Sequence, residues 1–136
     1  PGGSLGKRLL LRVGDLMHSG ELLPRVGIDA TISQALLEVS RKGLGMTAVV
    51  DEQGLLAGLF TDGDLRRILD LQVDIHHTPI SRVMTANCVT VGPEMMAAEA
   101  VKLMETRKIN GLLVVDEARR PLGAFNMHDL LKAGVI

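Results

Sequence analysis

The chain has 136 residues, enough for one compact domain, and 46% of them are apolar, far more than a disordered chain carries. Its 15 Lys and Arg nearly balance its 16 Asp and Glu, which argues against a nucleic-acid partner, and without Trp or Tyr it has no stacking platform for single strands. No apolar run approaches the ~20 residues of a membrane span, and the one cysteine, Cys88, excludes an internal disulfide and a multi-cysteine metal site, so the expectation is a cytoplasmic protein with no membrane partner.

Taken in order, Gly14-Asp-Leu-Met17 reads as a short helical turn, and a first strand is expected near Leu22 to Val26. Ile32, Ala35, Leu36 and Val39 follow the spacing of one helix face, which predicts a helix over 32–42, opened by Thr31 and Gln34 as a capping box. Met46 to Val50 is an apolar, β-branched strand, Asp51-Glu-Gln-Gly54 a turn, and Leu56 to Phe60 the returning strand. A second helix follows at once from Asp62 to Leu71, and 72–79 is a connector. The same order then returns. A helical turn at Ser81 to Met84 precedes a strand near Cys88 to Val91 and a helix with Ala97, Ala100, Val101 and Met104 on its apolar face. Strands at Leu112 to Val115 and Leu122 to Phe125 flank a turn at Glu117 to Pro121, and a helix over Met127 to Ala133 closes the chain.

The second half is a copy of the first. Val49-Val50-Asp51-Glu52 falls on Val114-Val115-Asp116-Glu117, and Asp64-Leu65 on Asp129-Leu130, both 65 residues apart; Met17 and Met84 in the opening turns lie 67 apart. A unit of about 55 residues buries only roughly 60% of its unfolded surface, so neither copy forms a good core alone. The expected fold is therefore α/β (α+β): two repeats, 13–71 and 80–136, each a small three-stranded sheet with two helices, packed with pseudo-twofold symmetry. Such packing leaves clefts at the seam.

Thr61-Asp-Gly-Asp64 and Asn126-Met-His-Asp129 each sit where a strand gives way to a helix. Free N–H groups at a helix start suit phosphate, and the carboxylates of Asp64 and Asp129 suit a ribose diol; the same residues also read simply as N-caps. His128 is placed to meet phosphate when protonated, or solvent. Gly45-Met46-Thr47-Ala48 and Asn110-Gly111-Leu112-Leu113 lead into the central strands, where small residues let a ligand approach the backbone or merely close a helix. Arg66 and Arg67 read as charge partners for an anion or as a solvated face. His76 and His77 read as solvated connector residues, and Cys88 as a small core residue on its strand. No constellation of His, Asp and Ser suggests nucleophilic catalysis, so no catalytic or metal-ligating residue is assigned.

Val83-Met84-Thr85, the two runs ending Val-Val-Asp, and above all Gly58-Leu-Phe-Thr-Asp-Gly-Asp-Leu-Arg66 resemble the tandem CBS domain pair, or Bateman module. The resemblance implies adenine nucleotide contacts from Thr61 and Asp64, with Asn126 replacing Thr in the second copy. Asp15-Leu-Met-His18, Phe60 to Arg67, Met127 to Leu131 and the opening Pro1 to Val13 are similar, more finely, to the C-terminal part of bacterial D-arabinose 5-phosphate isomerases. That resemblance implies that 1–12 is the tail of a sugar-isomerase domain of the same chain, that the catalytic residues lie in that domain, and that this part is not itself an enzyme. It implies a homo-oligomer, with paired CBS modules in a tetramer of Kdo and lipopolysaccharide biosynthesis. The expected ligand, with no cofactor required, is AMP, ADP, ATP or CMP-Kdo. Its ribose is expected at Asp64 and Asp129, its phosphate at Thr61, and its base between Met46, Thr47, Leu112 and Leu113. The rival expectation is a ligand-free oligomerisation module.

Overall fold

The computed structural model describes Gly6 and residues 10–136; the expected isomerase tail falls largely outside the described residues. Helix α1 (Val13–Leu16) and the two-residue strand β1 (His18–Ser19) form a leader. They precede β2 (Arg25–Gly27), α2 (Ile32–Lys42), β3 (Met46–Val50), β4 (Leu56–Thr61) and α3 (Asp62–Leu69). The second repeat opens with a 3-10 turn (Ile80–Arg82), followed by β5 (Thr90–Val91), α4 (Ala97–Arg107), β6 (Gly111–Val115), β7 (Pro121–Asn126) and α5 (Met127–Lys132).

The local signals act as their chemistry requires. Thr31 Oγ1 accepts the Gln34 N–H at 3.2 Å while Gln34 Oε1 accepts the Thr31 N–H at 2.9 Å, so α2 starts on a closed capping box. Ile32, Ala35 and Val39 are buried on one face of α2, and Gly43 ends it in the left-handed conformation at φ 72°. In each repeat the hairpin partners are antiparallel and the short first strand runs parallel to the central one: β2-β3-β4, and β5-β6-β7.

The repeats exchange their leaders. Strand β1, from the start of the first repeat, pairs antiparallel with β7, His18 opposite Ala124 and Ser19 opposite Gly123. Thr85, its counterpart in the second repeat, bridges Leu59 on β4 with N···O distances of 2.8 and 3.0 Å. Val13 accordingly belongs to the core of the second repeat, with Ala100, Met104, Leu112 and Phe125, and Ile80 to that of the first, with Ile32, Val49 and Phe60. The Val13 N–H donates to the Met95 carbonyl and the Ile80 N–H to the Ala30 carbonyl, at 2.8 and 2.7 Å. A third cluster, including Leu44, Met46, Leu59, Leu113 and Ala124, seals the seam.

Each copy supplies the three strands expected of it, and the exchange adds β1 to the second repeat's sheet as a fourth, in the order β1-β7-β6-β5. Two further boundaries differ. The first strands begin later than expected, because Gly20–Leu22 forms a 3-10 turn, and because Ala86 and Asn87 turn the chain, which joins the ladder only at Thr90. Cys88 thus lies in a half-buried loop and not on a strand. No helix among the described residues is long and apolar enough to cross a membrane.

Candidate ligand-binding site

A cleft of about 690 Å³ opens at the seam, where β3 and β6 begin and where α3 and α5 start. This size lies within the range of small-molecule sites. Thr61, Asp62, Gly63 and Asp64 line it from the first repeat, and Asn126, Met127 and His128 from the second. Leu44 and Met46 face Ile109 and Gly111 across it, and Thr85, Asn87, Cys88 and Val89 close one side.

Asp64 is the most elaborately held residue of the cleft, only 3% exposed. Its Oδ2 accepts the Thr61 N–H at 2.9 Å and the Thr61 hydroxyl at 3.2 Å, while Thr61 Oγ1 accepts the Asp64 N–H at 3.2 Å. This is the N-cap of α3, as its sequence suggests. Its Oδ1 carries the remaining partners: the Arg67 guanidinium and, across the seam, the Thr85 hydroxyl at 3.2 Å. One carboxylate therefore caps a helix, pairs with an arginine and ties the two repeats together. A nearly buried charge needs such partners.

Its counterpart Asp129 repeats the pattern with one change. Asn126 and Asp129 close the capping box of α5 with two 2.9 Å bonds. The leader residue reaching Asp129 is His18, whose Nε2 bonds Oδ1 at 2.9 Å. Asp129 does not line the cleft; the space beside it belongs to His18.

The cleft is thus one-sided. Its cations are Arg66, Arg67 and Lys108; the positions equivalent to these in the other repeat are Leu131, Lys132 and Gly43, none of which lines it. Against the three cations stand Asp62 and Asp64. The arrangement offers an anion cations from both repeats, a hydroxyl and a helix start, with aliphatic side chains and no aromatic ring for a flat group.

Met46, Thr61, Asp64, Asn126 and His128 are brought together as the sequence suggested. Thr47, Leu112 and Leu113 are not: all three are fully buried in the core, the Thr47 hydroxyl donating to the Ala48 carbonyl at 3.0 Å. Only the first residues of the central strands, Met46 and Gly111, reach the rim; beyond them both faces of each sheet are covered. The sequence reading missed Thr85, Asn87, Val89, Ile109 and Lys108, and it placed Cys88 in the core. The pairing of His18 with Thr85 at corresponding places in the opening turns was the available signal. Burial pushes the Cys88 thiol pKa up, outweighing the nearby Arg119 charge.

The CBS domain family model matches residues 13–71 and again 80–136. The whole chain is 58% identical to arabinose 5-phosphate isomerase KdsD of Pseudomonas aeruginosa and 48% identical to that of Escherichia coli K12. It spans 42% and 41% of their lengths, about two fifths of each. Among solved structures, an uncharacterized conserved protein of Pyrococcus horikoshii superposes with a TM-score of 0.81 at 24% identity, covering 93% of both chains. A CBS domain pair in complex with 5′-methylthioadenosine and S-adenosyl-L-methionine superposes at 0.80 and 23% identity, covering 90% of this chain and 94% of that one. CBSX2 in complex with AMP gives 0.77 and 23%, covering 91% and 96%. With both repeats matched and the fold shared, the chain belongs to the CBS domain family, as a tandem pair.

Proposed function

We propose that this CBS pair is a regulatory sensor attached to a sugar-isomerase domain of the arabinose 5-phosphate isomerase kind, and that it binds a nucleotide or nucleotide-sugar in the Asp64 cleft. The single observation behind this reading is Asp64 itself. A carboxylate bonded to Thr85 of the other repeat converts occupancy into a change at the seam. A ribose hydroxyl that takes the place of the Thr85 hydroxyl on Oδ1 releases the exchanged leader from α3. Regulation requires only that the ligand favour one of those two arrangements. The solved pairs that hold AMP or 5′-methylthioadenosine and S-adenosyl-L-methionine support an adenosine ligand by likeness. Candidate ligands are AMP, ADP, ATP and CMP-Kdo, and the isomerase turnover of the whole protein is the output.

A second reading, a ligand-free assembly module that stabilises a homo-oligomer, is favoured by Leu37, Leu69, Leu71 and Leu131, each at least 56% exposed on helices α2, α3 and α5 or the turn after α3. Thermal unfolding of this chain with AMP, ATP and CMP-Kdo separates the two. A ligand at 100 times its Kd adds about 2.7 kcal/mol, roughly 5–10 °C at this size. The sensor reading expects a shift with one of them that is lost in Asp64→Asn and kept in Asp129→Asn. No shift at millimolar concentration leaves the assembly reading.

A further inference from the structure

We infer that Lys108 is a ligand-contacting residue that selects for nucleotides carrying an anionic group beyond the first phosphate, a second phosphate or an acidic sugar. The inference rests on the Asp64 cleft being a nucleotide site, and goes beyond it in assigning the far end of that site.

The first observation is conformational. Lys108 stands just past the last turn of α4 at φ 56°, ψ 46°, in the left-handed region. The equivalent residue of the first repeat is Gly43, at φ 72°. Glycine takes this position without a steric penalty, whereas a residue with a Cβ takes it at a cost. The Lys108 and Ile109 N–H groups still close the helix on the Glu105 and Met104 carbonyls, so the backbone there asks only for a residue that tolerates the turn. Lys108 is exposed, so packing does not repay the strain. The last turn already holds Arg107 for the helix dipole.

The second observation is placement. Lys108 lines the cleft from the second repeat. Arg66 and Arg67 line it from the first repeat. Arg67 is engaged with Asp64, whereas among the described residues Arg66 and Lys108 have no ion-pair partner. Thr61 and the start of α3 receive a first phosphate beside Arg66. A further anionic group then meets Lys108, which the second repeat supplies, and a ligand long enough to reach it joins the two repeats. The other side of the seam, with Leu131, Lys132 and Gly43 at the equivalent positions, offers no such pairing.

The test is calorimetric titration of this chain and of Lys108→Gly with ATP and AMP, and with CMP-Kdo and CMP, together with the unfolding midpoint of each protein. Glycine relaxes the left-handed turn, so Lys108→Gly is expected to unfold at a higher temperature than the parent, which rules out damage to the fold. The same substitution is expected to weaken the longer member of the pair that binds about tenfold, the loss of one charge-assisted contact, and the monophosphate less than about twofold. Equal weakening of both members, or none of either, overturns the assignment and leaves Lys108 a helix cap. Failure of all four probes to bind the parent chain overturns the nucleotide reading itself, and the assignment with it.

Discussion

Met46 and Gly111 occupy equivalent positions in the two repeats, yet the Met46 Sδ stands 2.8 Å from where a Cβ on Gly111 would be. At this position the pseudo-symmetric seam is filled from one side only. Gly111 has no left-handed backbone to justify it; it is glycine because the thioether of the opposite repeat occupies its side-chain space. Met46 in turn is 1% exposed and lines the cleft.

The atom in the way at Gly111 is the flexible end of a methionine. At Gly58 and Gly123 a Cβ would meet not only Met84 and Met17 but also the backbone oxygens of Thr85 and His18, at 2.9 and 3.0 Å. Backbone in a paired ladder does not yield. Gly111→Ala is therefore expected to cost no more than about 1 kcal/mol, and Gly58→Ala or Gly123→Ala about 2–3 kcal/mol or more, because they push the exchanged leaders away. Denaturant unfolding of the three variants checks the order. Met46→Ala combined with Gly111→Ala should be non-additive, since the two share one space.

Thr85→Val removes the hydroxyl that joins Asp64 to the other repeat while keeping shape. Oδ1 keeps the Arg67 guanidinium, so the expected loss is about 1 kcal/mol, the net worth of one hydrogen bond. Chemical denaturation measures it, and the same change made in Asp64→Asn should cost less, because the acceptor is already weakened. Equal costs in the two backgrounds would sink the idea that this bond couples the repeats.

Much of this architecture was legible in the chain. Repetition of Val-Val-Asp and of the Asp64 and Asp129 helix starts marked two copies of one unit, and periodicity placed α2 within its observed bounds. Both helix-start carboxylates read correctly as caps, because a capping box is local: its partners lie three residues apart. What was not legible is which individual side chains bond across the seam. His18 on Asp129 and Thr85 on Asp64 join residues 111 and 21 positions apart, and no local pattern announces which sheet a two-residue strand will join. Leu112 and Leu113 were misplaced for a related reason. An apolar, β-branched run identifies a strand, but how deeply each of its faces is covered depends on the other repeat.

Glu38 gives a pH dependence unrelated to the cleft. It is 7% exposed on α2, and Lys42 Nζ at 2.9 Å and the Arg25 N–H at 3.1 Å both donate to its Oε2. Burial alone would raise its carboxyl pKa; the Lys42 hydrogen bond, the Arg25 N–H and the charges of Lys42 and Arg41 prevail and hold it below the ordinary 4.5. A folded-state value below the unfolded one contributes stability that is present above about pH 4.5 and lost as pH falls through the folded value. Unfolding midpoints between pH 7 and pH 3 should therefore fall less steeply in Glu38→Gln, from a lower starting point. Parallel curves for the two proteins would remove Glu38 from the account.

Cys88 reports on the cleft directly. Its thiol lines the wall beside Asn87 and Val89, half-buried, and burial raises its pKa. Alkylation proceeds through the thiolate, so a raised pKa lowers the reactive fraction at any pH below it. Iodoacetamide should modify Cys88 more slowly than a free cysteine at pH 8, with a rate that keeps climbing as pH increases past the point where the free thiol levels off. A ligand seated beside Asp64 covers the same wall and should slow the reaction further, in proportion to occupancy. Asp64→Asn should abolish that protection, and Asp129→Asn, whose carboxylate lies behind His18, should leave it intact. Protection lost equally in both variants would mean that the ligand acts through the fold as a whole and not from the Asp64 side.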